Sequence, residues 1–260
     1  MTTYIRELYD ARDLLSIWVQ REIKARYTTS TLGFAWAVLQ PLAVLAIFSF
    51  VFSVLLSVPT RGVPYPLWLF CGLSSWLFFN SSITSSTNAL IGNMNLVKKV
   101  YFPREIFPIG ALMVNVVDFM IATAIFVIML IIDPTPFYPT LLLYPLILAI
   151  QLCFMMGLSL FLSSFIVFFR DVRFIVPLVL QMWMYLTPVF YPLEQVPPNL
   201  LPFYMLNPMA AILDSYRRVA LFGQLPDWGQ LAYAAVVSVL LLVAAYLYFK
   251  RSERELVDQF

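Results

Sequence analysis

Residues 32–58 pass without a single charged side chain. As a helix that run is about 40 Å long, more than the ~30 Å hydrocarbon core of a bilayer. Five more long apolar runs follow, at residues 65–91, 106–132, 140–169, 174–190 and 228–249. The composition agrees, with 62% hydrophobic and 12% charged residues and a mean hydropathy of +0.85. Inside a bilayer no water is available to the backbone, so each crossing must close its own hydrogen bonds as a helix. The expected fold class is therefore an all-α polytopic membrane protein with six transmembrane helices. Pro41 is expected to kink the first, and the Asp-Pro-Thr-Pro at 133–136 to turn the chain after the third.

Charge placement orients the spans. With the N-terminus inside, thirteen of the sixteen Lys and Arg fall on the cytoplasmic side, leaving Arg61, Arg217 and Arg218 outside. Both termini are then cytoplasmic. The expected division is an amphipathic interface helix at 1–31, a transmembrane unit at 32–249 and a cytoplasmic tail at 250–260. In residues 4–27, Tyr4, Leu8, Ala11, Leu15, Trp18 and Ile23 recur near helical spacing, with Arg6, Asp10, Asp13, Gln20 and Lys24 opposite and Ile17 breaking the pattern. No cleaved leader is expected, and no sequence repeat marks an inverted-repeat carrier.

Several kinds of chemistry lack their residues. There is no histidine, and Cys71 and Cys153 sit in separate apolar runs, where they are expected to pack; no metal site is expected. None of the eight glycines precedes a lysine, so the chain has no P-loop for ATP. No nucleic-acid partner is expected.

Residues 181–223 are the least regular apolar stretch. Pro188, Pro192, Pro197, Pro198 and Pro202 exclude one straight helix. Asn207-Pro208 reads as an N-cap with proline at the first helical position, and Gly223 as the residue past a helix end. The enclosed helix, 208–222, is about 22 Å long and too short to cross. Broken backbone at membrane depth needs protein or a water-filled cavity beside it, so this stretch reads as the mouth of a pathway, or else as a surface helix closing the fold.

Three other stretches stand out. The link 92–105, GNMNLVKKVYFPRE, puts Val97, Val100, Tyr101 and Phe102 among Lys98, Lys99, Arg104 and Glu105 on the cytoplasmic side. Apolar residues rimmed by charge suggest a docking surface, and a helix half-sunk in the inner leaflet fits as well. In the second span Asn80, Thr84, Thr87 and Asn88 share one helical face, suiting either a wet path for a hydroxyl-rich substrate or interhelical hydrogen bonds. Phe34, Trp36, Trp76, Phe79, Trp183, Tyr185 and Tyr191 could line a tube where sugar rings slide, although aromatics also belong at membrane interfaces. Ser159 and Ser163 read as a close helix contact, and 168–173, FFRDVR, as a tight hairpin. Asp118 is the one acid well inside a span and has no evident basic partner.

Taken in order, R-E-I-K-A-R-Y-T-T-S-T-L-G-F-A-W-A-V-L-Q-P at 21–41, F-F-R-D-V-R at 168–173 and T-P-V-F-Y-P…P-P…L-N-P-M at 187–209 resemble the membrane subunit of type-2 ABC exporters of cell-surface polysaccharides. The resemblance covers essentially the whole chain. It implies a permease in the bacterial inner membrane that performs no covalent chemistry, works as a homodimer, and binds two ATPase subunits that hold ATP and Mg2+. Its cargo would be O-antigen, capsule or teichoic acid on a polyprenyl pyrophosphate lipid. The resemblance makes 92–105 the ATPase-coupling segment and 190–223 the outer re-entrant gate. Asp214, Arg217 and Arg218 would meet pyrophosphate or lipid headgroups, or pair locally with one another. The alternatives are a type-2 ABC exporter of drugs or lipids, a proton-coupled carrier using Asp118, and a membrane-embedded transferase, for which no acidic cluster is evident.

Overall fold

The computed structural model describes residues 11–28, 33–97, 103–134 and 136–258, and among these every regular element is helical. In chain order the helices are α1 (Arg12–Thr28), α2 (Ala35–Ser49, continued by a π-helical turn at Phe50–Leu55), α3 (Tyr65–Gly92), the four-residue α4 (Met94–Val97) and α5 (Ile106–Ile132). They are followed by α6 (Tyr144–Phe168, entered through a 3-10 turn at Pro139–Leu143), α7 (Val172–Tyr185), the five-residue α8 (Leu201–Met205), α9 (Pro208–Leu221) and α10 (Trp228–Asp258).

The second expected span, α3, is the centre of the bundle. It touches α2, α5, α6, α7 and α9, and most of its 28 residues are buried. It is long enough to cross, yet its serines, threonines and asparagines make it less apolar than its neighbours. Two of the hydroxyls are met inside the bundle: Ser86 donates to the Pro108 carbonyl at 3.0 Å, and Thr87 to Ile83 at 2.6 Å. Among the described residues four helical stretches are long and apolar enough to cross a membrane: Ala35–Leu55, Ile106–Ile132, Pro139–Phe168 and Trp228–Glu253. The fifth expected span is shorter than its apolar run: α7 stops after 14 residues, about 21 Å, at the approach to Pro188. In the first span the irregularity comes at 50–55, while Pro41 sits inside continuous α2.

Helix α10 runs on to Asp258, so the residues after 249 extend the last helix for about two more turns. It lies along α6, and the two backbones meet at Gly157, where a Cβ would stand 2.8 Å from the Leu242 amide nitrogen. Small residues permit this kind of close approach between membrane helices. Ser159 and Ser163, on the same helix, are fully buried. Gly157→Ala is expected to cost about 1–3 kcal/mol through forced separation of α6 and α10. Thermal unfolding of the detergent-solubilised protein reads this as a lower Tm, with Gly157→Val lower still.

Helix α1 packs across the first turns of α5. Trp18 is buried, meets Phe107 edge-on at 5.0 Å, and fits over Gly110, where a side chain would collide with its ring. Arg21 covers the indole at 4.3 Å. Leu15 follows Trp18 inward and Ile17 points out, as the spacing predicts. Tyr4, Arg6, Leu8 and Asp10 lie outside the described residues.

Candidate transport pathway, gate and coupling segment

Where α7 ends, three consecutive carbonyls lose their helical partners. Each is met by a side chain from elsewhere. Arg217 of α9 donates from Nη1 to Pro188 O at 2.5 Å and from Nη2 to Val189 O at 2.7 Å, and the Tyr65 hydroxyl donates to Phe190 O at 2.9 Å. The guanidinium lies 3.6 Å over the Trp68 ring, beside Gly72, whose missing Cβ leaves the room. Broken backbone at membrane depth survives only with such replacement partners. Phe190 closes the same spot by stacking on Phe52 at 5.2 Å.

The short helix is where the sequence puts it. Asn207 caps α9, its Oδ1 accepting from Met209 N at 3.1 Å, and its Nδ2 donates to Thr187 Oγ1 at 2.9 Å, which ties the cap to the end of α7. Gly223 follows the helix with φ +61°, a conformation that glycine adopts without strain. Tyr216 anchors the middle through Gln151, whose side-chain oxygen accepts from Tyr216 at 3.0 Å and Ser75 at 3.1 Å and whose amide donates to Ser75 O at 3.0 Å. This buried amide joins α9, α6 and α3. One glutamine in an apolar run gave no sequence signal of its role.

Arg217 thus departs from expectation. It is 4% exposed, and its terminal amines are taken by the broken backbone. Arg218 pairs with Asp214 at 2.6 Å, the local alternative. All three line a cavity of about 210 Å3, with the Arg61–Glu194 pair, also at 2.6 Å, in the same wall.

The expected aromatic tube divides. Trp76 and Phe79 are inside the protomer, 1% and 0% exposed, in a cluster with Phe154 and Trp183. They face the helices packed on α3, because α3 is surrounded, and they do not border a path in this protomer. Trp183 is half-buried at the edge of that cluster, whereas Tyr185, Phe34 and Trp36 are more than half exposed. Tyr191 clasps the break: its hydroxyl donates to Tyr185 O at 2.7 Å and lies 2.9 Å from the Tyr204 hydroxyl.

Asn80, Thr84 and Asn88 do line a cavity, of about 560 Å3, between α1, α2, α3 and α5; Thr87 is buried beside it and bonded to its own helix. Asp118 stands in that cavity and does have a basic partner. Arg26 Nη1 lies 2.6 Å from Asp118 Oδ2 and 3.2 Å from Asn115 Oδ1, the Tyr27 hydroxyl donates to Asp118 Oδ1, and Asn115 donates to Ser85 Oγ at 2.7 Å. Burial, with Asp118 next, pushes the Tyr27 phenol up to about 12, so it remains a donor at neutral pH.

In the expected coupling segment, 92–105, the short helix Met94–Val97 is present, while Lys98, Lys99, Val100, Tyr101 and Phe102 lie outside the described residues. Arg104 and Glu105 face the last helix. Glu105 is fully buried with Oε1 2.5 Å from Lys250 Nζ. Arg104 donates to the Glu253 carbonyl at 3.1 Å, and Glu253 also pairs with Lys250 at 3.0 Å. The segment is therefore joined to the end of α10. Among the described residues no group of His, Cys, Asp and Glu could hold a metal.

These features define a helical membrane protein with a proline-broken, side-chain-satisfied segment and an inner segment tied to its last helix. Residues 13–221 match the ABC-2 type transporter family model, and the chain belongs to that family. It is 33% identical to the O-antigen export system permease protein RfbA of Myxococcus xanthus, over 99% of each chain. An RfbA of Klebsiella pneumoniae is 29% identical over 92% of each chain. The polysialic acid transport protein KpsM of Escherichia coli is 23% identical over 92% of this chain and 93% of its own.

Proposed function

We propose that this chain is the permease subunit of an ATP-driven exporter of a cell-surface polysaccharide of the O-antigen or capsule type. The observation that carries this reading is the end-to-end match to an O-antigen export permease. The protein sits in the inner membrane as six spans, counting α3 and α7, with both termini cytoplasmic, as the thirteen-to-three charge bias favours. It works as a homodimer. The apolar faces left open on α2 and α7, including Phe174, Leu178 and Met182, supply surface for a second copy, and a 21 Å helix such as α7 gains most from one.

Two ATPase subunits bind the cytoplasmic face at 92–105. Nucleotide-driven closure pushes that segment, and the Glu105–Lys250 junction passes the displacement to α10. Residues 190–223 are the re-entrant outer gate. A glycan on a polyprenyl pyrophosphate carrier crosses between protomers. The proton-carrier alternative loses its ground, because Asp118 is held by Arg26 and the family is ABC-2. Affinity purification of this chain from native membranes tests the assembly. An equimolar P-loop ATPase with activity in the eluate is the expected result; a chain purified alone, without ATPase activity, counts against it.

A further inference from the structure

One stripe of α3 holds the proline-broken segment and the short helix that follows it. Tyr65, Trp68, Gly72 and Ser75 recur at intervals of three, four and three residues, and so share one face of the helix. Tyr65 donates to the Phe190 carbonyl at 2.9 Å, Trp68 lies under the Arg217 guanidinium at 3.6 Å, and Gly72 leaves the room that the guanidinium fills. The Ser75 hydroxyl donates to Gln151 Oε1 of α6 at 3.1 Å, and the same oxygen accepts from Tyr216 of α9 at 3.0 Å. All three side chains are buried. At its other end α3 stops at Gly92, and only Asn93 separates it from the helix Met94–Val97. Between those ends it runs for 28 residues, about 42 Å, with no proline beyond its first turn.

We propose that α9 rides on α3 as one rigid body with the segment 92–105, and that Gln151 is the positioning residue that fastens it there. Swinging α9 off α3 would leave the Tyr216 hydroxyl and the Gln151 oxygen each short of a partner, at a depth where no water replaces it. It would also lift Arg217 from the Trp68 ring. Moving α9 together with α3 breaks none of these contacts. A glutamine suits the place, because its amide accepts twice at the oxygen and still donates to the Ser75 carbonyl at 3.0 Å. Displacement of 92–105 then reaches the outer end through α3 itself. The gate opens along the exposed faces of α2 and α7 and not along α3, where α9 is held. The proposal rests on the coupling and gate readings and names the helix that connects the two.

The test uses the full-length chain with its co-purifying ATPase in lipid nanodiscs. Spin labels are attached after Gly92→Cys, where a Cβ meets nothing within 4 Å, and Leu225→Cys, exposed just past α9. Cys153→Ala removes the one native thiol within reach of the label, Cys71 being buried. Labelled copies are diluted with unlabelled ones, so that the pulsed-EPR distance lies within one protomer. That distance is expected to stay within about 2 Å between the nucleotide-free and ATP-trapped complexes. Ser75→Ala/Gln151→Leu/Tyr216→Phe removes the junction while leaving none of its side chains unpaired, which keeps the cost to folding small. In that variant ATP hydrolysis is expected to persist, export to fall about tenfold, and the distance to shift with nucleotide. A merely structural role would lower Tm without giving the distance a nucleotide response. A wild-type distance that shifts by more than about 2 Å on ATP binding, or full export by the triple variant, would overturn the fastening. If the triple variant does not fold, the wild-type distance alone decides. If no ATPase co-purifies, the coupling reading itself has failed; if it does and the wild-type distance shifts, only the fastening has.

Discussion

Arg217→Met is expected to cost about 3–5 kcal/mol and to leave little folded permease in the membrane. The substitution roughly keeps the side-chain volume and removes both donors. Pro188 O and Val189 O then lose their partners inside the protein, and Trp68 loses the cation over its face. Arg217→Lys recovers only part, since an ammonium cannot lie flat on the indole while reaching two carbonyls in the fork geometry. Gly72→Ala gives an independent check without touching the charge. Its Cβ would stand 2.5 Å from Nη2, and the guanidinium, fixed by two carbonyls and a ring, has nowhere to retreat. Size-exclusion recovery and Tm in detergent read all three. A wild-type Tm for the methionine variant would show that the break is held by something else.

The second large effect is at the junction of the proposed coupling segment with α10. Lys250→Met leaves the carboxylate of Glu105, fully buried, without its cation, a change that costs about 3–5 kcal/mol at buried pairs. Adding Glu105→Leu to Lys250→Met is expected to recover most of the loss, because replacing both members by apolar groups is often neutral. A double-mutant cycle on Tm measures the interaction. In the purified complex the stable double variant further separates stability from transmission. ATP hydrolysis is expected to persist while export falls. Full export in that variant would remove the junction from the mechanism.

These two sites show where sequence reading stops. The helix at 208–222, its Asn207 cap and the glycine after it were legible because caps and breakers act locally, within a few residues. The third span matched at both ends because charge and proline bound it. Partners far apart in the chain were not legible. Nothing near Asp118 indicates that Arg26, 92 residues earlier, will neutralise it, and nothing near Arg217 indicates that proline-broken carbonyls await it. Lipid, core and channel all favour the same aromatic residue types, so the sequence alone does not place Trp76 and Phe79, which the central position of α3 buries. The short α7 was hidden by an apolar run that continues past the helix end, through residues that bury as coil.

The most direct test of the central claim is the location of the polysaccharide in cells that lack this chain. Deleting its gene is expected to remove the polysaccharide from the surface and to accumulate lipid-linked glycan on the cytoplasmic side. Wild type should restore display and Arg217→Met should not. Undiminished surface polysaccharide in the deletion strain, with no intracellular accumulation, would contradict the assignment.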